Sequence, residues 1–377
     1  MNMSRGPVLL GGGIGLVLAV LILASPRAGR PLPQARPPTG WILSDCDGPI
    51  RELVIQYVPS GAAVVSPVYK QFLAYLPADV KVHVVCPDQA AFDDLRGRVG
   101  PVACKLSPVL TGHPMTSWAR DRWLALSPPG PDLPVTLLCP RGEQGAESWP
   151  ARAGDRRIGS DLAAALGPAA VSRESTLYFD GGDFVADDRT TFVAPSVVIR
   201  NVQHTVKDRL ELLETLRRAL GTAVVLLEMA PPHHAGMYMM PIGDRTVIVG
   251  DPGLARRAMP DTMPPDALSG CADFTPETQL LFDAVAERCA ANNYRVMRIP
   301  IIPGLDGRTY ITYLNVIIDR RDGKRIVYMP VYRGHEALNA AAAAVWAGAG
   351  CEVRPVDCTS AYTHFGSLRC LVNVVRR

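Results

Sequence analysis

One pattern recurs along this chain and restricts its fold more than any other feature. Two short strands meet at a tight turn, an amphipathic helix follows, and a buried strand completes the unit. The stretches TLYFDGGDFVADDRTTFVAP, MYMMPIGDRTVIVGD and TYLNVIIDRRDGKRIVYMPVY each carry paired apolar runs, with DD, IGDR and RDGK at the bends. Asp-Gly between alternating apolar residues is a strong hairpin signal. Helices are predicted over 205–220, 275–293 and 335–350, and each leads into a strand, over 222–229, 294–302 and 351–358 respectively. Thr275 is suited to cap the second helix and Pro276 to occupy its first turn. Gly348 and Gly350 can end the third. Upstream, 52–58 and 80–86 read as strands around a helix at 66–77. A hairpin–helix–strand unit recurring at roughly 60–70 residues implies one repeated α/β architecture. A doubly wound sheet places no hairpin in each unit.

The N-terminus departs from the pattern. Residues 7–25, PVLLGGGIGLVLAVLILAS, carry no charge. The run approaches the ~20 residues that span a bilayer, and the basic MNMSRG before it resembles the start of an export signal. We expect residues 1–27 to form a hydrophobic helix, either a signal peptide or a transmembrane anchor. Residues 28–40 are then a Pro-rich linker, and 41–377 the folded domain, which an export signal or anchor would put outside the cytoplasm. Arg27, Arg30 and Arg36 follow the apolar run, so the positive-inside rule leaves its orientation open. If the segment is uncleaved, the membrane is a partner through it.

Hydrophobic residues make up 48% of the chain and charged residues 20%, a balance that sustains a sizeable core. The net charge is +3 with the basic residues scattered, which argues against a nucleic-acid partner. None of the nine cysteines forms a C-x-x-C pair, which argues against zinc. An odd number leaves at least one thiol unpaired within a monomer, and export would permit disulfides among the rest.

Four stretches carry residues suited to chemistry: TSWARDRWLAL (116–126), YFDGGDFVAD (178–187), PPHHAGMYMMPIGDRTVIVGDP (231–252) and GSLRCLV (366–372). Each has a plain structural reading. Trp118 and Trp123 can be core residues, with Asp121 and Arg122 on a solvated loop. DGGD can be only a turn, one of His233 and His234 a core histidine, and Cys370 a packed thiol. A metal site at the histidine pair lacks a neighbouring Cys or Glu. The four together, in this order and each at a strand edge, are what make a site.

In that order the chain resembles the guanidine-modifying enzymes of the pentein superfamily, and within it the agmatine deiminase and bacterial, Porphyromonas-type, peptidylarginine deiminase family. Members carry W-x-R-D, E-G-G, H-x-D and G-x-x-H-C segments; this chain has WARD, DGGD, HAG and SLRC. The resemblance covers about 41–377 and implies a five-bladed α/β propeller of ββαβ units, with the active site in its central channel. It implies a deiminase, acting on a small guanidino compound or a peptidyl arginine through a covalent thiouronium, with no cofactor and no metal. By position, Cys370 would be the nucleophile, His234 the acid and base, and Asp180 the acid beside it. Asp121, Trp118, Asp183 and His233 would bind substrate, with Asp183 at the rim and His233 an extra residue suited to a second base or a hydrogen-bond donor. Gly181 and Gly182 would let the backbone come close.

The chain departs from the pattern at three places. Gly236 stands where a second guanidinium-binding aspartate belongs; one such charged hydrogen bond is worth about 1.5–3 kcal/mol. Asp180 is a methylene shorter than the glutamate. Arg369 replaces the histidine before the cysteine, and alternation along a strand points it away from Cys370, toward a wall or the surface. Two further readings follow: an amidinotransferase, which passes the thiouronium to an amine, and a decayed site on a binding or scaffold protein.

Overall fold

The computed structural model describes residues 40–130, 132–142, 150–259 and 271–377. The expectations for 1–27 and for most of 28–40 fall outside them. Among the described residues no helix is long and apolar enough to cross a membrane.

Five sheets follow one plan, an antiparallel pair extended by a parallel strand. Leu124–Ser127 pairs antiparallel with Val135–Cys139, which pairs parallel with Ala170–Glu174. Phe184–Ala186, Thr190–Val193 and Ala223–Leu226 repeat the order. So do Met239–Gly243, Thr246–Asp251 and Arg295–Pro303, and then Ile317–Arg321, Lys324–Val331 and Cys351–Asp357. In the fifth sheet the two ends of the domain meet. Val372–Arg376 pairs antiparallel with Glu52–Gln56, which continues parallel into Lys81–Cys86.

The turns form for local reasons. Asp322 and Gly323 take φ of 52° and 74°, and Asp244 and Arg245 take 51° and 49°. Two successive left-handed residues match the twist of the strands they join. In the DD turn, Asp187 Oδ1 accepts from the backbone N–H of Arg189 and Thr190, and its Oδ2 accepts from Tyr294 Oη at 2.7 Å. The helices Ala62–Tyr75, Arg209–Leu220, Pro276–Ala291 and Glu336–Gly348 supply crossovers in four of the sheets, and Ile158–Leu166 lies in that of the remaining one. Thr275 caps the third of these, accepting from Thr278 N, and Gly350 closes the last with φ 79°.

One point in the plan matters for function. The segment just before the first strand of each hairpin lies against the equivalent segment of the next. Arg120 N donates to Cys370 O at 3.2 Å, and Gly181 N to Asp121 O at 2.7 Å. Gly182 packs on His234 so closely that a Cβ there would lie 2.3 Å from Nδ1. Asn315 Nδ2 donates to Gly236 O at 3.2 Å, and Cys370 N donates to Asn315 Oδ1 at 3.1 Å. These contacts form a closed circuit of five segments.

Candidate active site

Cys370 lies on a single helical turn, Leu368–Leu371, that runs directly into the strand Val372–Arg376. Its backbone is held on both sides, the N–H by Asn315 and the carbonyl by Arg120. The thiol opens into a cavity of about 410 Å³ that also contains Trp118, Asp121, Asp180, Asp183, His233 and His234. All seven residues singled out from the sequence therefore meet in one place.

His234 begins the short turn Ala235–Met237. Burial alone would lower its pKa. The hydrogen bond with Cys370 and the carboxylates of Asp183, Asp121 and Asp180 outweigh that and raise it to about 10. The ring is therefore an imidazolium at neutral pH. Its Nδ1 is buried and has no hydrogen-bond partner among the described residues, because that edge faces the backbone of Gly182. His233 is the opposite case. Burial, then repulsion from His234, pushes its pKa down to about 3. Neutral at Nδ1, it accepts the backbone N–H of His234 at 2.7 Å, and its ring meets Tyr310 edge-on at 5.5 Å. Its Nδ1 accepts and fixes the turn, while the backbone carbonyls of Phe365 and Arg308 take hydrogen bonds from the ring.

Asp180 and Asp183 flank the turn Gly181–Asp183, and Asp180 N donates to Asp183 Oδ2 at 2.9 Å. Burial works against ionisation of Asp180, but His234, Arg200, Arg122 and Arg152 overcome it and hold the carboxyl below its ordinary range. Asp183 is raised by its deeper burial, which the favourable field of His234 does not offset. Its Oδ1 accepts from Ser196 Oγ at 2.7 Å.

The cavity also holds residues that the sequence did not single out. Arg152 reaches in from the helical turn Pro150–Asp155. Its Nη1 lies 2.9 Å from Asp121 and 3.2 Å from Asp155, and its Nη2 lies 3.5 Å from Asp180. Arg200 approaches Asp180 at 3.1 Å and Asp183 at 3.6 Å. Arg308 stacks over Phe365 at 4.3 Å, beside His364. Neither RAG at 152–154 nor VIRN at 198–201 carries a local signal; only the fold brings these arginines to the carboxylates.

Three local readings are corrected. Arg122 is not on a solvated loop: it is buried, 3.7 Å from Asp180. Trp123 is fully buried, whereas Trp118 lines the cavity. Arg369 points away from Cys370, but on a helical turn rather than a strand, and it reaches neither wall nor surface. It is 1% exposed, donates to Asp45 at 3.0–3.1 Å, and donates to Phe184 O at 2.7 Å. Arg120 joins the same carboxylate at 3.2 Å. This buried cluster explains Gly236, since a Cβ there would lie 2.6 Å from Arg369 Nη1. The absent aspartate and the arginine are two sides of one packing solution.

All nine cysteines are free thiols. Among the described residues no cluster of His, Cys, Asp or Glu is arranged to hold a metal ion.

No family model and no curated protein matches the chain. Solved structures do. The agmatine deiminase of C. jejuni superposes with a TM-score of 0.64 at 14% identity, over 89% of this chain and 96% of that one. A cysteine-to-serine variant of it, with substrate bound, superposes at 0.65. The agmatine deiminase of Enterococcus faecalis gives 0.65 at 12% identity, over 90% and 96%. A Porphyromonas gingivalis protein assigned as an arginine deiminase gives 0.65 at 18% identity, over 89% and 98%. The chain therefore has the mixed α/β fold of the pentein deiminases, and at these identities the likeness is one of fold.

Proposed function

We propose that this protein is a cysteine-dependent hydrolase of a guanidine or amidine C–N bond, in its simplest form a deiminase, and that its five sheets are the blades of a propeller around the cavity. The observation that carries the reading is the convergence of Cys370, His234 and the carboxyl groups of Asp121, Asp180 and Asp183 on one cavity, with the His234 pKa raised by that company. The closed circuit of five segments supports the propeller.

The chemistry follows from those groups. Asp121 and Asp180 take the N–H donors of the substrate and orient its central carbon. The Cys370 thiolate attacks that carbon and forms a C–S bond. His234 gives its proton to the departing nitrogen, the C–N bond breaks and ammonia leaves. The imidazole, now neutral, takes a proton from water. The water oxygen bonds to the thiouronium carbon, the C–S bond breaks, the remaining hydroxyl proton passes to the released ammonia or to solvent, and a ureido product leaves the thiolate restored. A guanidinium entering this site displaces Arg152 from Asp121.

A second reading has one observation in its favour. Arg152 already satisfies Asp121 and Asp180, as a protein that only preserves the fold would arrange. One assay separates the two readings. The full chain and its Cys370→Ser variant are incubated with agmatine, arginine and an arginine peptide, and ammonia and ureido product are measured. Product from the parent alone upholds the hydrolase; no product together with an inert Cys370 thiol upholds the second reading. Product appearing only when an acceptor amine is added identifies an amidinotransferase.

We further take residues 7–25 as an export signal or anchor, so that the site acts outside the cytoplasm, a reading that rests on the apolar run alone. Protease treatment of intact cells tests it: cleavage of the domain without lysis is expected, and full protection would overturn it.

A further inference from the structure

Beside the cavity runs a second opening of about 260 Å³, along the first turns of the helix Ala62–Tyr75. Val58, Val64, Val65 and Met115 line it, and among the described lining residues there is no Asp, Glu, Lys or Arg. Trp118 and His364 line both openings. The indole of Trp118 packs over Gly366, where a Cβ would lie 2.4 Å from the ring and 3.2 Å from Cys370 Cβ. One aromatic ring therefore stands between the thiol and the apolar groove. Ser117 also lines it, with its Oγ buried and unbonded among the described residues.

The charges of the main cavity point the same way. Its carboxylates Asp121, Asp180 and Asp183 are each engaged by Arg152, Arg200 or Ser196. At the mouth stand Arg308 and His364. Among the described lining residues no further acid remains for a cationic tail.

We infer that the groove is a subsite for an uncharged, apolar substituent on the substrate. The inference rests on the guanidine reading and names its substrate class: guanidines whose far end is apolar rather than ammonium. Trp118 gives the chain a flat wall as it passes from Cys370 into the groove.

The test compares pentylguanidine with agmatine, which differ by a terminal methyl in place of an ammonium, with methylguanidine reporting the inner site alone. N-Pentylacetamide probes the groove without a guanidine. Binding is measured by calorimetry on the full-length Cys370→Ser protein, alone and with Val64→Asp or Val64→Phe, whose melting temperatures verify folding. Pentylguanidine is expected to bind about tenfold tighter than agmatine. Val64→Asp and Val64→Phe are expected to remove that advantage and to abolish N-pentylacetamide binding, leaving methylguanidine unchanged. If agmatine binds as tightly, or the Val64 variants leave both pentyl compounds unaffected, the subsite is overturned. If N-pentylacetamide binds in a Val64-dependent way and no guanidine binds, the groove stands and the guanidine reading falls.

Discussion

At Asp121 the carboxylate is already occupied by Arg152 Nη1, 2.9 Å away. A substrate guanidinium competes for that oxygen with a tethered group of the same chemistry. Removing the tethered group favours the substrate, because an engaged charged hydrogen bond is worth about 1.5–3 kcal/mol. Arg152→Ala is therefore expected to tighten guanidine binding to the Cys370→Ser protein by about tenfold; weaker binding would make Arg152 a positioning group instead. Gly236 raises the converse problem. A methyl there overlaps a guanidinium locked between Asp45 and the Phe184 carbonyl, and overpacking of this kind costs about 1–3 kcal/mol. Gly236→Ala is expected to lower the urea midpoint accordingly, with the slope unchanged. An unshifted midpoint would mean that Arg369 moves freely, which its burial argues against.

The element that carries the nucleophile is the last strand. Val372–Arg376 has its antiparallel partner at the other end of the domain, in Glu52–Gln56. The turn bearing Cys370 is continuous with it, so the thiol's position depends on a pairing between the two ends of the fold. Hydrogen exchange checks this. The amides of Val372–Val375 are expected to exchange only with global unfolding, as do those of Glu52–Gln56. Faster exchange in the C-terminal strand alone would mean that it frays and the site with it. The turn Gly181–Asp183 acts likewise at element scale. With no Cβ at Gly182, the turn approaches His234 closely enough to leave Nδ1 dry and Asp183 within its field.

Across the molecule, two adjacent histidines respond oppositely to pH. The folded pKa of His234 is raised from 6.5 to about 10, so its stabilising contribution is complete below pH 6.5 and is lost as pH rises toward 10. His233 is depressed from 6.5 to about 3, so the unfolded chain binds its proton first and the fold loses stability as pH falls from 6.5 toward 3. The stability difference between wild type and His234→Gln is expected to shrink between pH 6.5 and 10; a constant difference would mean that His234 is neutral in the fold. Most of the architecture was legible in the chain because it is local. Alternating apolar runs, an Asp-Gly bend, Thr275 before Pro276 and glycines after a helix each specify their own few residues, and a repeated pattern implies repeated units. Cys370, His234, Asp121 and Asp180 were legible because each sits at the same point in such a unit. Tertiary structure alone decided what surrounds them. Arg152 and Arg200 reach the carboxylates, Asn315 holds the nucleophile's backbone, and Asp45 fixes Arg369 against Gly236, through contacts between residues far apart in sequence. Such charges are placed by the packing of whole units against one another, and no local pattern in the chain records that.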